Sequence, residues 1–209
     1  FKTNLPGDVA PLATPDRLNR ITNQISAIRD VVGDDALLGF DFHGRISKPM
    51  ARALLKQLEP YNLAFIDQPL LPEHTEMFKS LSDQTTIPLA TGERLYSRYD
   101  FKDLLVNDSV SIIQPDVSHV GGITEMRKLA SMAEAFDVAV VPHCPLGPIA
   151  LAASLQVGFC SQNVVLQEQD LDVHEPDSSQ WLEYLDDPGV FEFENGYIGP
   201  GACSPRGRG

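Results

Sequence analysis

The feature that most constrains the fold is an alternation of short apolar runs and amphipathic stretches. Six apolar runs rich in β-branched residues each end near a polar group, and they span Ala36–Phe42, Leu63–Ile66, Ile87–Thr91, Ser111–Gln114, Val138–Val141 and Val164–Gln167. Helical patterns precede and separate them over Thr14–Val32, Lys48–Leu58, Glu73–Leu81, Tyr99–Val106, Thr124–Phe136 and Leu146–Val157. This alternation predicts βαβ units and a parallel α/β sheet.

An ionisable residue lies at or just after the end of each predicted strand. These residues recur every 23 to 27 positions, and they are Asp41, Asp67, Glu93, Asp116, His143 and Glu168. One acid after a strand is commonly a helix cap or a turn former, but capping does not explain six groups in one phase, because Glu and His are poor caps. In a closed α/β barrel the carboxyl ends of the strands share one mouth, where active sites lie. We therefore expect these side chains to face one another.

Three of these acids form a candidate metal site. Asp41, Asp67 and Glu93 would supply oxygen ligands from three neighbouring strands. A set of carboxylates without Cys or His suits Mg²⁺, whereas zinc would be expected to recruit nitrogen or sulfur ligands. The sequence predicts one Mg²⁺ per site, which would also relieve the repulsion between the acids.

The remaining groups suggest acid–base chemistry. His43 lies two residues after Asp41, so both side chains can face the mouth. Asp116 and His143 close adjacent strands, and a carboxylate beside an imidazole favours a general base. Glu168 could contact a substrate oxygen or support its neighbours.

A metal near a substrate carboxylate, with two histidines, points to removal of the proton α to that carboxylate. If the second histidine protonates a β-hydroxyl, water leaves. If it returns a proton to carbon, the product is an epimer. Dehydratase and epimerase therefore both remain open at this point.

Several strings carry a resemblance to a known family. They are Asp41-Phe-His43-Gly-Arg45, Ala90-Thr-Gly-Glu93-Arg94, Gln114-Pro-Asp116, Gly121-Gly122-Ile-Thr-Glu125, Pro142-His143-Cys-Pro-Leu-Gly-Pro-Ile149 and Leu166-Gln-Glu168-Gln. Together they resemble the enolase superfamily, within it the mandelate racemase subgroup, and most closely the galactonate dehydratases. The resemblance implies a partial (β/α) TIM-type barrel running from about strand two or three to strand eight.

The resemblance also implies roles. Asp41 and Glu93 would be Mg²⁺ ligands, with Asp67 at the remaining ligand position. His143, paired with Asp116, would remove the C2 proton, and His43 would assist loss of the C3 hydroxyl. Arg45, Glu168 and His143 would contact substrate. The implied activity is a Mg²⁺-dependent hydro-lyase that converts an aldonate such as galactonate to the 2-dehydro-3-deoxy acid and water.

The sequence departs from the family pattern in several places. The family's usual Glu-Glu-Pro string reads Asp67-Gln68-Pro69, and Asn4 replaces the second lysine of a Lys-x-Lys pair. We also expect residues 1–198 to be a truncated barrel domain lacking its capping domain, with two unpaired sheet edges and a non-matching, disordered tail at 199–209. A racemase or epimerase, and a catalytically inactive fragment or interaction protein, are therefore alternative functions.

Composition bounds the partners. With 16 Lys and Arg against 29 Asp and Glu, the net charge of −13 argues against binding nucleic acid or anionic lipid. No apolar run approaches the roughly 20 residues that span a bilayer. Three cysteines without a CxxC spacing favour free thiols in a reducing compartment. We expect a cytoplasmic protein with a small sugar-acid substrate, and by resemblance a homo-oligomer in its full-length form.

Overall fold

Six parallel strands form one sheet in chain order. The computed structural model describes residues 1–171, 183 and 185–199. The strands are β1 (Lys2–Asn4), β2 (Gly39–Asp41), β3 (Phe65–Asp67), β4 (Leu89–Thr91), β5 (Ile112–Ile113) and β6 (Ala139–Val140), and each pairs with the next. The parallel α/β fold predicted from the alternation is confirmed.

Helices connect the strands on the outside of the sheet. They are α1 (Pro15–Val32), α2 (Lys48–Leu58), α3 (Phe78–Ser82), α4 (Arg98–Val106), α5 (Ile123–Glu134) and α6 (Pro148–Gly158). Short 3₁₀ helices cover Glu59–Tyr61, Pro72–Met77 and Pro188–Phe191. The helix predicted over Glu73–Leu81 is thus divided into a 3₁₀ turn and the short α3. The non-helical backbone of His74 (φ −120°, ψ 29°) adds a kink within the 3₁₀ segment, near the start of the predicted helix.

Helix α1 shows why these segments are helical. Its buried residues Leu18, Ile21 and Ile25 recur at the spacing of one helix face. Thr14 begins the helix, because its hydroxyl accepts a hydrogen bond from the Arg17 backbone N–H at 3.3 Å. Pro15 fits the first turn, where its missing N–H has no intrahelical partner. The apolar face then packs into the single core that the sheet and helices share.

A buried arginine ties α1 to the loops around it. The Arg29 side chain donates hydrogen bonds to four backbone carbonyl groups, those of Gly33, Ala36, Tyr61 and Asn62, at 2.8 to 3.1 Å. The guanidinium fork supplies several donors in a fixed geometry, so one side chain satisfies carbonyls from two connections. Arg29 therefore fixes the loop entering β2 and the loop entering β3.

The strand register brings the ends of three strands to one level. Asn4 is the register partner of Asp41, and Asp41 is the partner of Asp67. Every residue of β2, β3 and β4 is buried, as expected where helices cover one face and packed side chains fill the other. The acids that follow these strands are thus delivered side by side at the carboxyl edge of the sheet.

The sheet is open within the described part of the chain. Strand β1 pairs there with β2 alone, and beyond β6 a single parallel bridge joins Val140 to Val164. The strand predicted over Val164–Gln167 is therefore reduced to this bridge. No helix in the described ranges is long and apolar enough to cross a bilayer. The tail predicted to be disordered lies outside the described residues from position 200 onward.

Candidate active site

Three carboxylates converge at the carboxyl edge of the sheet. Asp41 and Asp67 end β2 and β3, and Glu93 follows β4 by two residues. One ligand oxygen from each lies within 4.8 Å of the other two. Their exposed fractions are only 1%, 0% and 7%. The structure thus brings together the three acids that the sequence singled out as metal ligands.

The backbone of Gly92 aims Glu93 into this cluster. Gly92 has a backbone φ angle of 143°, a conformation that residues other than glycine rarely adopt. A Cβ atom at this position would lie 2.8 Å from the Gln114 backbone nitrogen and 2.8 Å from the Phe101 ring. A glycine is therefore required where the chain leaves β4 and passes close to the residues that follow β5.

Asp67 is the most deeply buried of the three acids. Burial raises the pKa of Asp67 to about 7, an effect that the charge of Lys2 opposes and that of Asp41 reinforces. The Gln114 amide also donates to Asp67 Oδ2 at 2.9 Å, which favours the ionised carboxylate. Gln114 lies two residues before Asp116, and this spacing was the available sequence signal for its position in the site.

A lysine that the sequence analysis did not assign lies among these acids. The Lys2 ammonium nitrogen is 2.7 Å from Asp67 Oδ2, 3.0 Å from Asp41 Oδ2 and 3.0 Å from Glu168 Oε1. Burial alone would lower the pKa of Lys2, but the attraction of Asp67, Asp41 and Glu168 outweighs burial and raises it. The signal for this contact was the strand period, because Lys2 shares a strand face with Asn4, the register partner of Asp41.

The three carboxylates fit a divalent cation. In the described part of the chain, Asp67 Oδ1 is buried and has no hydrogen-bond partner, which leaves a free acceptor beside Asp41 and Glu93. An all-oxygen donor set of this kind suits a hard cation such as Mg²⁺. Asp67 is one methylene shorter than the family's usual glutamate, yet its oxygen still lies within the 4.8 Å cluster.

His143 and Asp116 form a hydrogen-bonded pair beside the acid cluster. Nδ1 of His143 lies 2.8 Å from Asp116 Oδ2, and Nε2 lies 3.6 Å from Glu93 Oε2. Burial opposes protonation of His143, but the hydrogen bond to Asp116 and the charges of Glu168 and Glu93 outweigh it and raise the pKa. Burial likewise works against ionisation of Asp116, while the hydrogen bonds from His143 and Ser118 keep its pKa below the ordinary value.

His43 borders a different acid of the cluster. Its Nε2 lies 3.4 Å from Asp41 Oδ2, and its backbone N–H donates to Asp41 Oδ1 at 2.7 Å. His43 adopts a left-handed conformation (φ 51°) directly before Gly44, so the chain turns sharply after β2. The two histidines thus flank the cluster next to Asp41 and next to Glu93.

Glu168 and Arg45 lie at the margin of the site. Glu168 accepts a hydrogen bond from the Cys144 backbone N–H at 3.3 Å through Oε2, while its Oε1 contacts Lys2. Arg45 is exposed and helps to line a cavity of about 950 Å³ that His43 and Arg94 also line. Arg45 is therefore placed on the wall of this cavity, which His43 and Arg94 connect to the acid cluster.

Two further residues contact the site and were missed by the sequence analysis. His119 Nδ1 donates to the Glu93 carbonyl at 2.8 Å, and its ring lies 6.3 Å from the His143 ring. Arg94 Nε lies 3.2 Å from Glu93 Oε1, and its guanidinium also donates to the His43 carbonyl at 3.3 Å. The sequence signal for Arg94 was its position beside Glu93. His119 lies in the loop after β5 and had no signal beyond its residue type.

Comparison with known proteins places these residues in context. Residues 1–205 match the family described as enolase C-terminal domain-like. A D-galactonate dehydratase from Ralstonia pickettii is 47% identical over 200 residues, which is 96% of this chain and 52% of the relative. The chain thus spans about half the length of the curated relatives it matches.

Solved structures give the same relationship. A candidate mandelate racemase/muconate lactonizing enzyme from Labrenzia alexandrii superimposes with a TM-score of 0.84 at 31% identity, over 97% of this chain and 54% of that one. An enolase from Agrobacterium radiobacter, described as a candidate galactarate dehydratase, was solved with sodium and L-malate bound and an ordered active site. It superimposes with a TM-score of 0.74 at 35% identity, over 81% of this chain and 44% of that one.

Proposed function

Because the chain belongs to the family of enolase C-terminal domain-like proteins, we propose that it is the barrel part of a Mg²⁺-dependent sugar-acid dehydratase. The proposed reaction removes water from a D-galactonate-like aldonate to give the 2-dehydro-3-deoxy acid. The D-galactonate dehydratases among the relatives support this substrate class. Elimination of water across the C2–C3 bond requires a base that removes the C2 proton and an acid that protonates the C3 hydroxyl.

The observation that carries the proposal is the placement of two histidines around a buried acidic cluster. Asp41, Asp67 and Glu93 would hold the cation. When bound, Mg²⁺ would stabilise the negative charge that develops on the substrate carboxylate as the C2 proton leaves. The histidines border Asp41 and Glu93, so each would face a substrate whose carboxylate lies between them.

We assign the base to His143. The Asp116 carboxylate accepts a hydrogen bond from Nδ1 of His143, so the neutral imidazole carries its proton on that nitrogen. The Nε2 lone pair is then free to take the C2 proton. Asp116 also stabilises the imidazolium that forms, and its buried position holds the ring in one orientation.

We assign the acid to His43. Its backbone N–H donates to Asp41 Oδ1 and its Nε2 lies 3.4 Å from Asp41 Oδ2, so the ring is held beside the acid cluster, where we propose that it acts as the imidazolium. In that form His43 can donate a proton to the departing C3 hydroxyl as water. Glu168 is proposed to contact substrate hydroxyls near His143, and Arg45 to contact the part of the substrate that extends into the adjoining cavity.

The proposed enzyme also has an expected metal content, cellular location and oligomeric state. We propose one Mg²⁺ per site, which the single cluster of three carboxylates found among the described residues supports. A cytoplasmic location is supported by the free thiols of Cys144 and Cys160, which fit a reducing compartment. A homo-oligomeric full-length form and a small-molecule substrate, with neither nucleic acid nor membrane as partner, complete the proposal.

The test is direct. The 209-residue chain is incubated with D-galactonate and Mg²⁺, and the product is assayed as an α-keto acid. A parallel sample in deuterated solvent reports exchange at C2 by NMR. The expected result is keto acid formation, together with loss of both product and exchange in His143→Asn.

Each contrary result has its own meaning. Exchange at C2 without water loss across a panel of aldonates would replace the dehydratase with an epimerase. Persistence of C2 exchange in His143→Asn would contradict the assignment of the base. The absence of both C2 exchange and turnover with every aldonate tested would refute the proposed activity of this chain.

A further inference from the structure

The Lys2 ammonium group lies where it would compete with a metal cation for two of the proposed ligands. Its ammonium nitrogen contacts Asp67 Oδ2 at 2.7 Å and Asp41 Oδ2 at 3.0 Å, so it bridges two of the three proposed metal ligands. Both aspartates are buried, with exposed fractions of 0% and 1%. Two buried carboxylates at this spacing repel one another strongly unless a positive charge lies between them. Lys2 supplies that charge in the metal-free protein.

A divalent ion would meet Lys2 as a like charge. Both cations are attracted to the same oxygens, and at about 4 Å the repulsion between them is large even in a moderately polar environment. Binding of the ion therefore requires the ammonium to leave at least one aspartate or to remain at an energetic cost. Either way, the presence of Lys2 lowers the affinity of the cluster for the ion.

Glu168 can remain an ion-pair partner of Lys2 when the ammonium leaves the two aspartates. Its Oε1 lies 3.0 Å from the Lys2 nitrogen, so Lys2 has a third carboxylate partner besides Asp41 and Asp67. Lys2 and Glu168 are both partly exposed, with side-chain exposed fractions of 27% and 28%. The ammonium can therefore keep one carboxylate partner and contact solvent after it releases the two buried aspartates.

We propose that Lys2 is an internal counter-ion that stands in for the metal between Asp41 and Asp67 and competes with Mg²⁺ for them. The inference rests on the proposed magnesium site and adds a determinant of its affinity. It predicts that the lysine stabilises the metal-free fold and weakens metal binding, two effects of opposite sign from one residue.

The experiment is a calorimetric titration of the metal-free 209-residue chain with Mg²⁺, without substrate. Lys2→Met removes the charge and keeps most of the side-chain volume, and Lys2→Gln is a second neutral variant in case the first folds poorly. Lys2→Arg keeps the charge. Lys102→Met, at an exposed lysine of α4, is the matched control for loss of one positive charge. Urea unfolding without metal is measured on the same proteins.

Both neutral variants should bind Mg²⁺ about tenfold tighter than the wild type or better. Without metal they should unfold at lower urea concentration than the wild type. Lys2→Arg and Lys102→Met should stay within about twofold of the wild-type affinity. Mg²⁺ binding by the neutral variants, with no detectable binding by the wild type, would also support the proposal.

Unchanged or weaker Mg²⁺ affinity in both neutral variants, with a wild type that binds, would show that Lys2 does not compete with the ion. That result would leave the proposed magnesium site unaffected. Absence of binding in every protein would overturn the magnesium site itself, and this inference with it.

Discussion

Asp116 and His143 face each other as a parallel bridge pair beyond β5 and β6, and their side chains meet at 2.8 Å. The backbone register therefore fixes the tautomer of the proposed base. We expect Asp116→Asn to lower the rate of C2 hydrogen exchange by about 10² to 10⁴, the usual contribution of a positioned general base. NMR detection of deuterium at C2 of an aldonate measures this rate. Cys160→Ser, an exposed change away from the pair, serves as the control, and an Asn variant exchanging at the wild-type rate would contradict the role of the pair.

The pH dependence of His143 follows from the same contact. Burial works against the imidazolium, but Asp116 and the nearby glutamates raise the pKa of His143 above its ordinary value of 6.5. An NMR titration of the metal-free protein should therefore give a midpoint above 6.5, and Asp116→Asn should move that midpoint downward. Because the pKa is raised by folding, the stability from this pair is present below 6.5 and is lost as the pH rises through the raised value. A midpoint that is equal in both proteins would show that Asp116 does not govern the proton.

Much of the site could be predicted because its residues recur at a regular spacing, at the ends of successive strands. Asp41, Asp67 and Glu93 each follow an apolar run, and the parallel register of β2, β3 and β4 places successive strand ends side by side. Hydrophobic alternation determines that register, so residues at equal phase in the sequence become neighbours in space. The same reasoning brought Asp116 beside His143.

Other contacts lay beyond sequence reasoning because nothing local specifies them. Lys2 and Glu168 are 166 positions apart, and their contact depends on how far the whole sheet curls. The bond from His119 to the Glu93 carbonyl joins two loops whose paths have no periodic signal. The kink at His74 in the predicted helix is likewise a local backbone choice that the amphipathic pattern does not encode.

Arg29 provides a test of how the loops before β2 and β3 are held. Replacing it with Met leaves four backbone carbonyls without their donor, and we expect the free energy of unfolding to fall by about 2 to 4 kcal/mol. Urea unfolding followed by circular dichroism measures the change. The matched control is Arg20→Met on the same helix, where the arginine is exposed and pairs with Asp16. That control should cost less than about 1 kcal/mol, and equal losses in the two variants would rule out the proposed tether.

Gly39 tests the packing beneath the acid cluster. It is the register partner of Phe65, and a Cβ atom at position 39 would lie 2.5 Å from the tip of the Phe65 ring. We expect Gly39→Ala to lower the free energy of unfolding by about 1 to 3 kcal/mol, because the ring must shift in a closed interior. Gly39→Ala combined with Phe65→Leu should recover part of that loss, since the smaller side chain vacates the contested space.

The control for this prediction is Gly158→Ala at the end of α6. A Cβ atom there would meet Val164 at 3.6 Å, an ordinary contact, and the helical backbone favours alanine over glycine. This variant should be neutral or slightly stabilising in the same unfolding measurement. A Gly39→Ala protein as stable as the wild type would mean that the Phe65 ring is free to move.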